Sequence, residues 1–101
     1  MTGNLRKLAR GMPCMARFPG ICNFDESTTV LCHIRRANIA GIGQKPNDLC
    51  AFLGCSACHD YYDKRTPRSH DDHEVNEWVL DALLRTIEFW SKSGLAISEA
   101  D

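Results

Sequence analysis

Long apolar runs are missing from this 101-residue sequence. Its first seven residues, Met1 to Lys7, lack the apolar core of a secretion signal, and no later stretch is apolar for long enough to cross a membrane. Internal repeats and low-complexity linkers are missing as well, so a chain of this length is expected to form one domain over residues 1–101. We therefore expect a cytoplasmic protein in which the cysteines stay reduced.

A strong net charge is also absent, since the formal value is −1 at pH 7. The charge is unevenly spread: residues 1–50 hold seven Lys and Arg against three acidic residues, whereas residues 51–101 hold five against ten. The basic half is a candidate surface for an anionic partner, and a solvated mixture of charges is the alternative. No basic recognition helix is present, so contacts with a nucleic acid would go mainly to phosphate, which positions a protein without reading the sequence.

Six cysteines are present, and in a reducing compartment their first interpretation is metal binding. Cys55 and Cys58 form a Cys-x-x-Cys knuckle, which aims two thiolates at one tetrahedral zinc. Cys14 and Cys22 can supply the other two ligands of a closed structural Zn²⁺ site. A redox role is the weaker alternative, because the knuckle lacks a βαβ context. A structural zinc would matter to the fold, since a chain of this size has a thin core.

Two apolar runs predict a pair of strands. Residues 28–34 are rich in β-branched and apolar side chains, and the run 49–53 predicts a second strand that pairs with the first. Glycines and a proline between them predict a loop over residues 40–48. Cys32 and Cys50 fall within the two runs, so we expect buried strand residues there rather than zinc ligands.

Two helices follow the strands. Residues 57–64 predict a helix with Ser56 as its N-cap, ended by the Thr-Pro dipeptide at 66–67. Residues 71–93 predict a long amphipathic helix whose apolar side chains face the core at helical spacing: Val75, Val79, Ala82, Leu83, Ile87 and Trp90. Residues 14–64 would then form the core, and residues 1–12 a basic arm or a short helix.

Two histidines stand at informative places in this strand–loop–strand–helix order. His33 ends the first predicted strand, and His59 opens the helix that follows the knuckle. The arrangement resembles the HNH, or His-Me finger, nucleases in their zinc-stapled treble-clef form. That resemblance implies an α+β class with a small ββα-metal core, followed here by the long C-terminal helix.

The resemblance also implies roles for individual residues. His33 would be the general base that takes a proton from the attacking water, and His59 would help to hold one catalytic divalent cation, Mg²⁺ or Mn²⁺. Asp63 lies one helical turn beyond His59 and is the candidate second ligand of that cation. Asp60 points to a different face and is expected to be solvated.

The sequence departs from the family pattern in two places. Cys32 stands directly before the base, where many members carry a metal-binding Asp or His. Cys50 stands where the middle Asn of the motif is usual, so Asn47 and Asp48 are the nearest replacements for orienting His33. We favour Asp48, because a carboxylate both orients an imidazole and raises its basicity.

A closer resemblance covers almost the whole chain. The segments Leu-Cys-His-Ile-Arg, Lys-Pro-Asn-Asp, Cys-Ser-Ala-Cys-His-Asp and Asp-Lys-Arg look like those of small phage and prophage proteins, the YbcO-type nucleases of lambdoid prophages. That resemblance implies a prophage-encoded nuclease with an HNH-like fold.

Basic residues next to the predicted base are candidates for binding nucleic acid. Arg35 and Arg36 follow His33 directly, and Lys45 lies in the loop between the strands. A guanidinium binds phosphate bidentately, although exposed charges that merely aid solubility are the alternative. His70 and His73, near the start of the last helix, are expected to be surface residues.

The function predicted from the sequence is a metal-dependent endonuclease that hydrolyses phosphodiester bonds in DNA. The alternative is a zinc-stabilised module without catalysis that binds nucleic acid or assists recombination. The missing acidic residue before His33 keeps that alternative open.

Overall fold

A computed structural model describes residues 5–34 and 48–93 of the chain. Its elements in chain order are helix α1 (Leu5–Ala9), a 3₁₀ turn (Glu26–Thr28), strand β1 (Val30–His33), strand β2 (Ala51–Gly54), helix α2 (Ser56–Tyr62) and helix α3 (Asp72–Lys92). The small α+β arrangement with a long C-terminal helix is confirmed. None of the helices in these two ranges is long and apolar enough to span a membrane.

The two strands form an antiparallel pair in which Val30 lies opposite Gly54 and His33 opposite Ala51. β1 starts later than residue 28, because the Asp25 side chain accepts a hydrogen bond from the Ser27 N–H and holds the preceding segment in the 3₁₀ turn. The pairing places His33 at the end of β1, beside the start of β2. Both strands were predicted from the sequence, with ends that differ by one or two residues.

Cys32 and Gly54 approach each other closely inside this pair. Cys32 is completely buried, and a Cβ atom on Gly54 would lie 2.8 Å from its sulfur. Position 54 therefore has no room for a larger residue. Cys50 is half-buried just before β2, and its carbonyl accepts a hydrogen bond from the Ile34 N–H at 2.8 Å. The expected burial is thus complete at Cys32 and partial at Cys50.

The N-cap of α2 is Cys55, and the prediction of Ser56 is wrong. The Cys55 sulfur accepts from the Cys58 N–H, so the knuckle itself caps the helix. The helix ends at Tyr62, before the Thr-Pro dipeptide, since Lys64 adopts a left-handed φ of 62° that reverses the chain.

α3 packs its apolar face against β2, and Trp90 near its end joins the cluster that contains Leu5 and Ala9 of α1. Asp71 caps the helix by accepting from the Glu74 N–H at 2.8 Å. The predicted core positions are buried except for Leu83, which is half-buried, and Ile87, which is 50% exposed. Thr86 is buried next to Ile87, because its hydroxyl accepts from the Leu53 N–H and donates to a carbonyl of its own helix. A polar contact with β2 thus decides which neighbouring position faces the core.

The N-terminal segment forms a helix rather than a free arm over residues 5–9. Leu5 and Ala9 are buried in a cluster that includes Leu31, Leu53 and Trp90. The helix therefore covers one side of the strand pair. This position brings the basic side chain of Arg6 close to the end of β1.

Candidate metal centre and histidine site

Four cysteine sulfur atoms meet at the junction of β2 and α2, and we call them the cysteine cluster: Cys14, Cys22, Cys55 and Cys58. All four lie within 4.8 Å of one another, and the Cys14–Cys58 and Cys22–Cys55 sulfur pairs are each 3.8 Å apart. A disulfide would need about 2.05 Å. Four sulfurs at ~2.3 Å from a zinc ion form a tetrahedron whose edges are about 3.8 Å. The cluster could therefore hold a metal ion and is compatible with a structural zinc.

Backbone N–H groups point at the sulfur atoms. Cys14 accepts from Arg17 and Cys55, Cys22 accepts from Phe24, and Cys55 accepts from Asn23 and Cys58, at 3.3 to 3.5 Å. Arg17 and Phe24 reach these positions with left-handed φ angles of 48° and 57°. Such angles cost energy in non-glycine residues and persist where the surroundings impose them. Both strained residues donate to the cluster.

The same contacts divide the protons unevenly among the sulfur atoms. The hydrogen bond with Cys58, helped by the N–H donors, lowers the pKa of Cys14 to about 4 against the effect of burial. Burial raises the pKa of Cys22 to about 11, and the interaction with Cys14 raises the pKa of Cys58 well above its ordinary value. Cys14 is therefore the sulfur atom of the cluster that the surrounding donors favour most strongly as a thiolate, the form that binds a metal ion.

α3 also holds the loop that carries Cys14. The Arg85 guanidinium donates to the carbonyls of Met15 at 2.7 Å and Ala16 at 3.0 Å. The N–H groups of these two residues donate in turn to the carbonyl of Leu53 in β2. The cluster is therefore tied both to the strand pair and to the long helix.

His33 and Asp48 form the first of two His–Asp pairs. Nε2 of His33 lies 2.8 Å from Oδ1 of Asp48, and both side chains are nearly buried, with 11% and 12% exposed. Arg6 of α1 donates from Nε to both carboxylate oxygens at 3.3 Å. The contact predicted between Asp48 and His33 is present in the structure, and Arg6 adds a third member that sequence reasoning missed.

The charge state of Asp48 follows from its neighbours. Burial opposes ionisation of the carboxyl group, but the hydrogen bond with His33 and the charge of Arg6 outweigh it, so the pKa of Asp48 lies below its ordinary value. An ionised carboxylate only accepts hydrogen bonds. Nε2 of His33 must therefore carry the proton, and Nδ1 is left as the basic nitrogen.

His59 and Asp63 form the second pair, one turn apart on α2 and at its end. Nε2 of His59 lies 3.1 Å from Oδ2 of Asp63. Two octahedral ligands at ~2.1 Å from a small divalent cation would be separated by about 3.0 Å, so the spacing is compatible with shared coordination. Arg65 adds a further contact of 3.8 Å with the same Asp63 oxygen.

The structure does not join these pairs into one ligand set. Within residues 5–34 and 48–93, the cysteine cluster is the sole group of three or more potential metal ligands, and it contains neither Cys32 nor Cys50. Burial raises the pKa of Cys32, which makes it a neutral core thiol. Four of the predicted site residues lie outside the described residues: Arg35, Arg36, Lys45 and Asn47.

The remaining candidates take ordinary surface roles. The Asp60 side chain is partly exposed and lies 3.5 Å from Arg65, which also contacts Asp63. His70 lies 2.7 Å from Glu74 and against the Trp78 ring, and His73 is exposed. No sequence signal could have revealed Arg6, which contacts Asp48 across 42 positions of the chain.

The comparisons with known proteins agree with one another. The family model described as "Putative nuclease YbcO" matches residues 3–95. The chain is 46% identical over 92 residues to proteins named "Putative nuclease YbcO" from Escherichia coli (strain K12) and Enterobacteria phage 82, covering 91% of this chain and 95% of each relative.

A solved structure resembles the fold as well. It is entitled "Structure of a putative bacteriophage protein from Escherichia coli str. K-12 substr. MG1655" and is similar with a TM-score of 0.72 and 43% identity, over 88% of this chain and 98% of that one. Matches of this extent show the family. The chain belongs to the YbcO family of phage-associated proteins described as putative nucleases.

Proposed function

We propose that this protein is a metal-dependent endonuclease of the HNH type, acting on phosphodiester bonds of DNA in the cytoplasm. The observation that carries the proposal is the 2.8 Å contact between Nε2 of His33 and Asp48, in a chain whose relatives are named "Putative nuclease". A nearly buried imidazole fixed by an ionised carboxylate is the arrangement that a general base requires. The treble-clef form of the fold belongs to the same proposal, with one structural zinc in the cysteine cluster.

His33 would act through Nδ1. Asp48 holds the Nε2–H in place, so Nδ1 can accept a proton from a water molecule as that water attacks phosphorus. The imidazolium that forms is stabilised by the Asp48 carboxylate, at 2.8 Å. Arg6 acts as a positioning residue, since its two contacts fix the plane of the carboxylate.

His59 and Asp63 would hold the catalytic divalent cation, Mg²⁺ or Mn²⁺. A cation bound there supplies Lewis-acid stabilisation of the charge on the phosphate and the leaving oxygen. The side chain of Asp63 is almost buried and that of His59 is partly exposed, so the pair opens to solvent on the histidine side. Asn47 as a second orienting residue, and Arg35, Arg36 and Lys45 as phosphate contacts, remain part of the proposal.

One observation favours the alternative function, a zinc-stabilised module that binds nucleic acid or assists recombination without catalysis. Cys32 is fully buried, and the part of the chain that the structure describes supplies only two ligands, His59 and Asp63, for a hard cation. A divalent ion with two protein ligands would depend on water and substrate phosphate for the rest. Cleavage by the pure protein is therefore the decisive test.

The experiment is a supercoiled-plasmid nicking assay with and without Mg²⁺ or Mn²⁺. Wild-type protein should nick the plasmid only with added metal. Asp48→Asn, which keeps the shape of the side chain and removes its charge, should nick much more slowly while keeping its circular dichroism and zinc content. Nicking at equal rates by both proteins would refute the assigned base. Binding of DNA through Arg35 and Arg36 with no metal-dependent cleavage of duplex DNA, single-stranded DNA or RNA would favour the accessory module instead.

A further inference from the structure

A cleft of about 510 Å³ lies where α2 passes into α3, and we call it the basic cleft. Three cations line it, Lys64, Arg65 and Arg68, together with the carboxylates of Asp63 and Asp72. Asp63 is one of the two residues assigned above to the catalytic cation. The basic cleft therefore opens beside Asp63, at the end of α2.

The end of α2 determines how the cations are presented. The left-handed φ of 62° at Lys64 reverses the chain, and the Arg65 N–H then donates to the Asp60 carbonyl at 2.8 Å. This turn leaves the side chains of Lys64 and Arg65 at the rim, 63% and 62% exposed. A left-handed angle in a lysine costs energy, so the surrounding structure must impose it.

Arg68 differs from the two rim residues. Only 18% of its side chain is exposed, and it donates to the carbonyls of Tyr61 and Tyr62 at 3.1 Å and to Asp72 at 2.8 Å. Its guanidinium also covers the Tyr61 ring at 5.1 Å. Arg68 thus forms the floor of the basic cleft and ties α2 to α3.

Among the residues that the structure describes, the partners of the two rim cations lie at long distances. Lys64 lies 3.7 Å from Asp72, and Arg65 lies 3.5 Å from Asp60 and 3.8 Å from Asp63. Charge-assisted hydrogen bonds are about 2.7–2.9 Å long, and exposed ion pairs longer than this contribute little to stability. Such cations can exchange their carboxylate partners for phosphate oxygens at small cost.

We propose that Lys64 and Arg65 bind the phosphodiester backbone of the nucleic acid next to the His59–Asp63 pair. This inference rests on the proposed function and adds a binding surface to the same site. The ligand atoms are the non-bridging phosphate oxygens, so the contact is independent of base sequence. Bound here, the backbone places a phosphate beside Asp63.

The test is binding without cleavage. We would measure fluorescence anisotropy of a labelled DNA duplex, and of one of its strands, across a series of salt concentrations and with no added Mg²⁺ or Mn²⁺. No chelator is added, because a chelator would remove a zinc ion bound by the cysteine cluster. The test protein is Lys64→Gln/Arg65→Gln. The control is Arg10→Gln/Lys92→Gln, which removes two exposed cations from other parts of the surface.

The rim variant should bind the duplex about tenfold more weakly, and its slope of log affinity against log salt should fall by about 1.8, since each lost phosphate contact is worth ~0.9. The control should keep the wild-type slope, and the charge-preserving exchange Lys64→Arg/Arg65→Lys should restore binding. The inference would be overturned if the rim and control variants lost DNA affinity equally, if the rim variant bound DNA like wild type, or if wild type did not bind DNA. Selective loss of binding in a protein that never cleaves would keep the inference and refute only the endonuclease.

Discussion

The cysteine cluster takes its four sulfur atoms from the loop after α1 and the start of α2 and buries three of the cysteines. The two His–Asp pairs, in contrast, lie at the end of β1 and along α2, and each keeps part of a histidine accessible. A closed set of four sulfurs has no position left for a substrate, whereas a histidine pair does. Closed sites of this kind usually stabilise a fold, and open ones usually carry chemistry.

The difference between the regions is therefore one of consequence. A substitution in the cysteine cluster should lower the stability of the whole domain. A substitution in a His–Asp pair should lower the reaction rate and leave the fold unchanged. Variants of single residues can test whether the two regions separate in this way.

The largest effect is expected for Cys58→Ser. Binding of a structural zinc is worth roughly 10–16 kcal/mol in small zinc domains, so losing one ligand should unfold the domain or lower its melting temperature sharply. Thermal unfolding and zinc content measured on the purified variant check this. Wild-type stability together with wild-type zinc content would show that the cluster has been misassigned.

A large effect on rate alone is expected for His33→Ala. Loss of a positioned general base typically lowers a rate by about 10²–10⁴-fold. The plasmid nicking rate should fall by that factor, while the melting temperature and the affinity for DNA stay close to wild type. Cleavage that survives the substitution would point to another base or to a contaminating nuclease.

His59→Ala should fail in a different way, since His59 is assigned to the cation and not to the proton. The variant should need more Mg²⁺ or Mn²⁺, and excess metal should restore part of the nicking rate. A metal titration of both histidine variants checks the distinction. If added metal restores both variants or neither, the two pairs do not have separate roles.

A smaller effect is expected at Arg6, which acts on His33 only through Asp48. Arg6→Gln should lower the nicking rate several-fold and Arg6→Lys should recover part of it. An unchanged nicking rate in Arg6→Gln would show that Arg6 has no positioning role.

The smallest effect is expected for Cys32→Ala combined with Cys50→Ala. Both thiols lie outside the cysteine cluster, so the double variant should retain close to one zinc per chain. Metal analysis of the purified protein decides the matter, with Cys58→Ser as the matched comparison. Loss of zinc from the double variant would require a different ligand set.

Sequence patterns were informative where the contact is local. The spacing of Cys55 and Cys58 and the four-residue step from His59 to Asp63 follow from knuckle and helix geometry alone. Periodicity along α3 was less reliable, because it could not tell that Thr86 rather than Ile87 would turn inward to meet Leu53. Thr86 is the buried residue because its side chain makes a hydrogen bond to β2.

Sequence patterns alone did not predict contacts between segments that are far apart in the chain. The pairing of Asp48 with His33 was predicted from a family resemblance, and nothing in the spacing of charges indicated that Arg6 would join them. That triad exists because α1 packs its buried residues against the strand pair and so delivers a guanidinium to the far end of β1. The position of the Arg6 guanidinium therefore depends on tertiary packing.

Because Cys32 and Gly54 approach each other closely, the effect of a substitution at one position should depend on the residue at the other. Gly54→Ala alone brings a methyl group to 2.8 Å from the Cys32 sulfur and should lower the melting temperature. Cys32→Ala removes that sulfur, so the same methyl group should then be accommodated at much smaller cost. The order of the two changes therefore matters to a lineage, because Gly54→Ala is better tolerated after Cys32→Ala than before it.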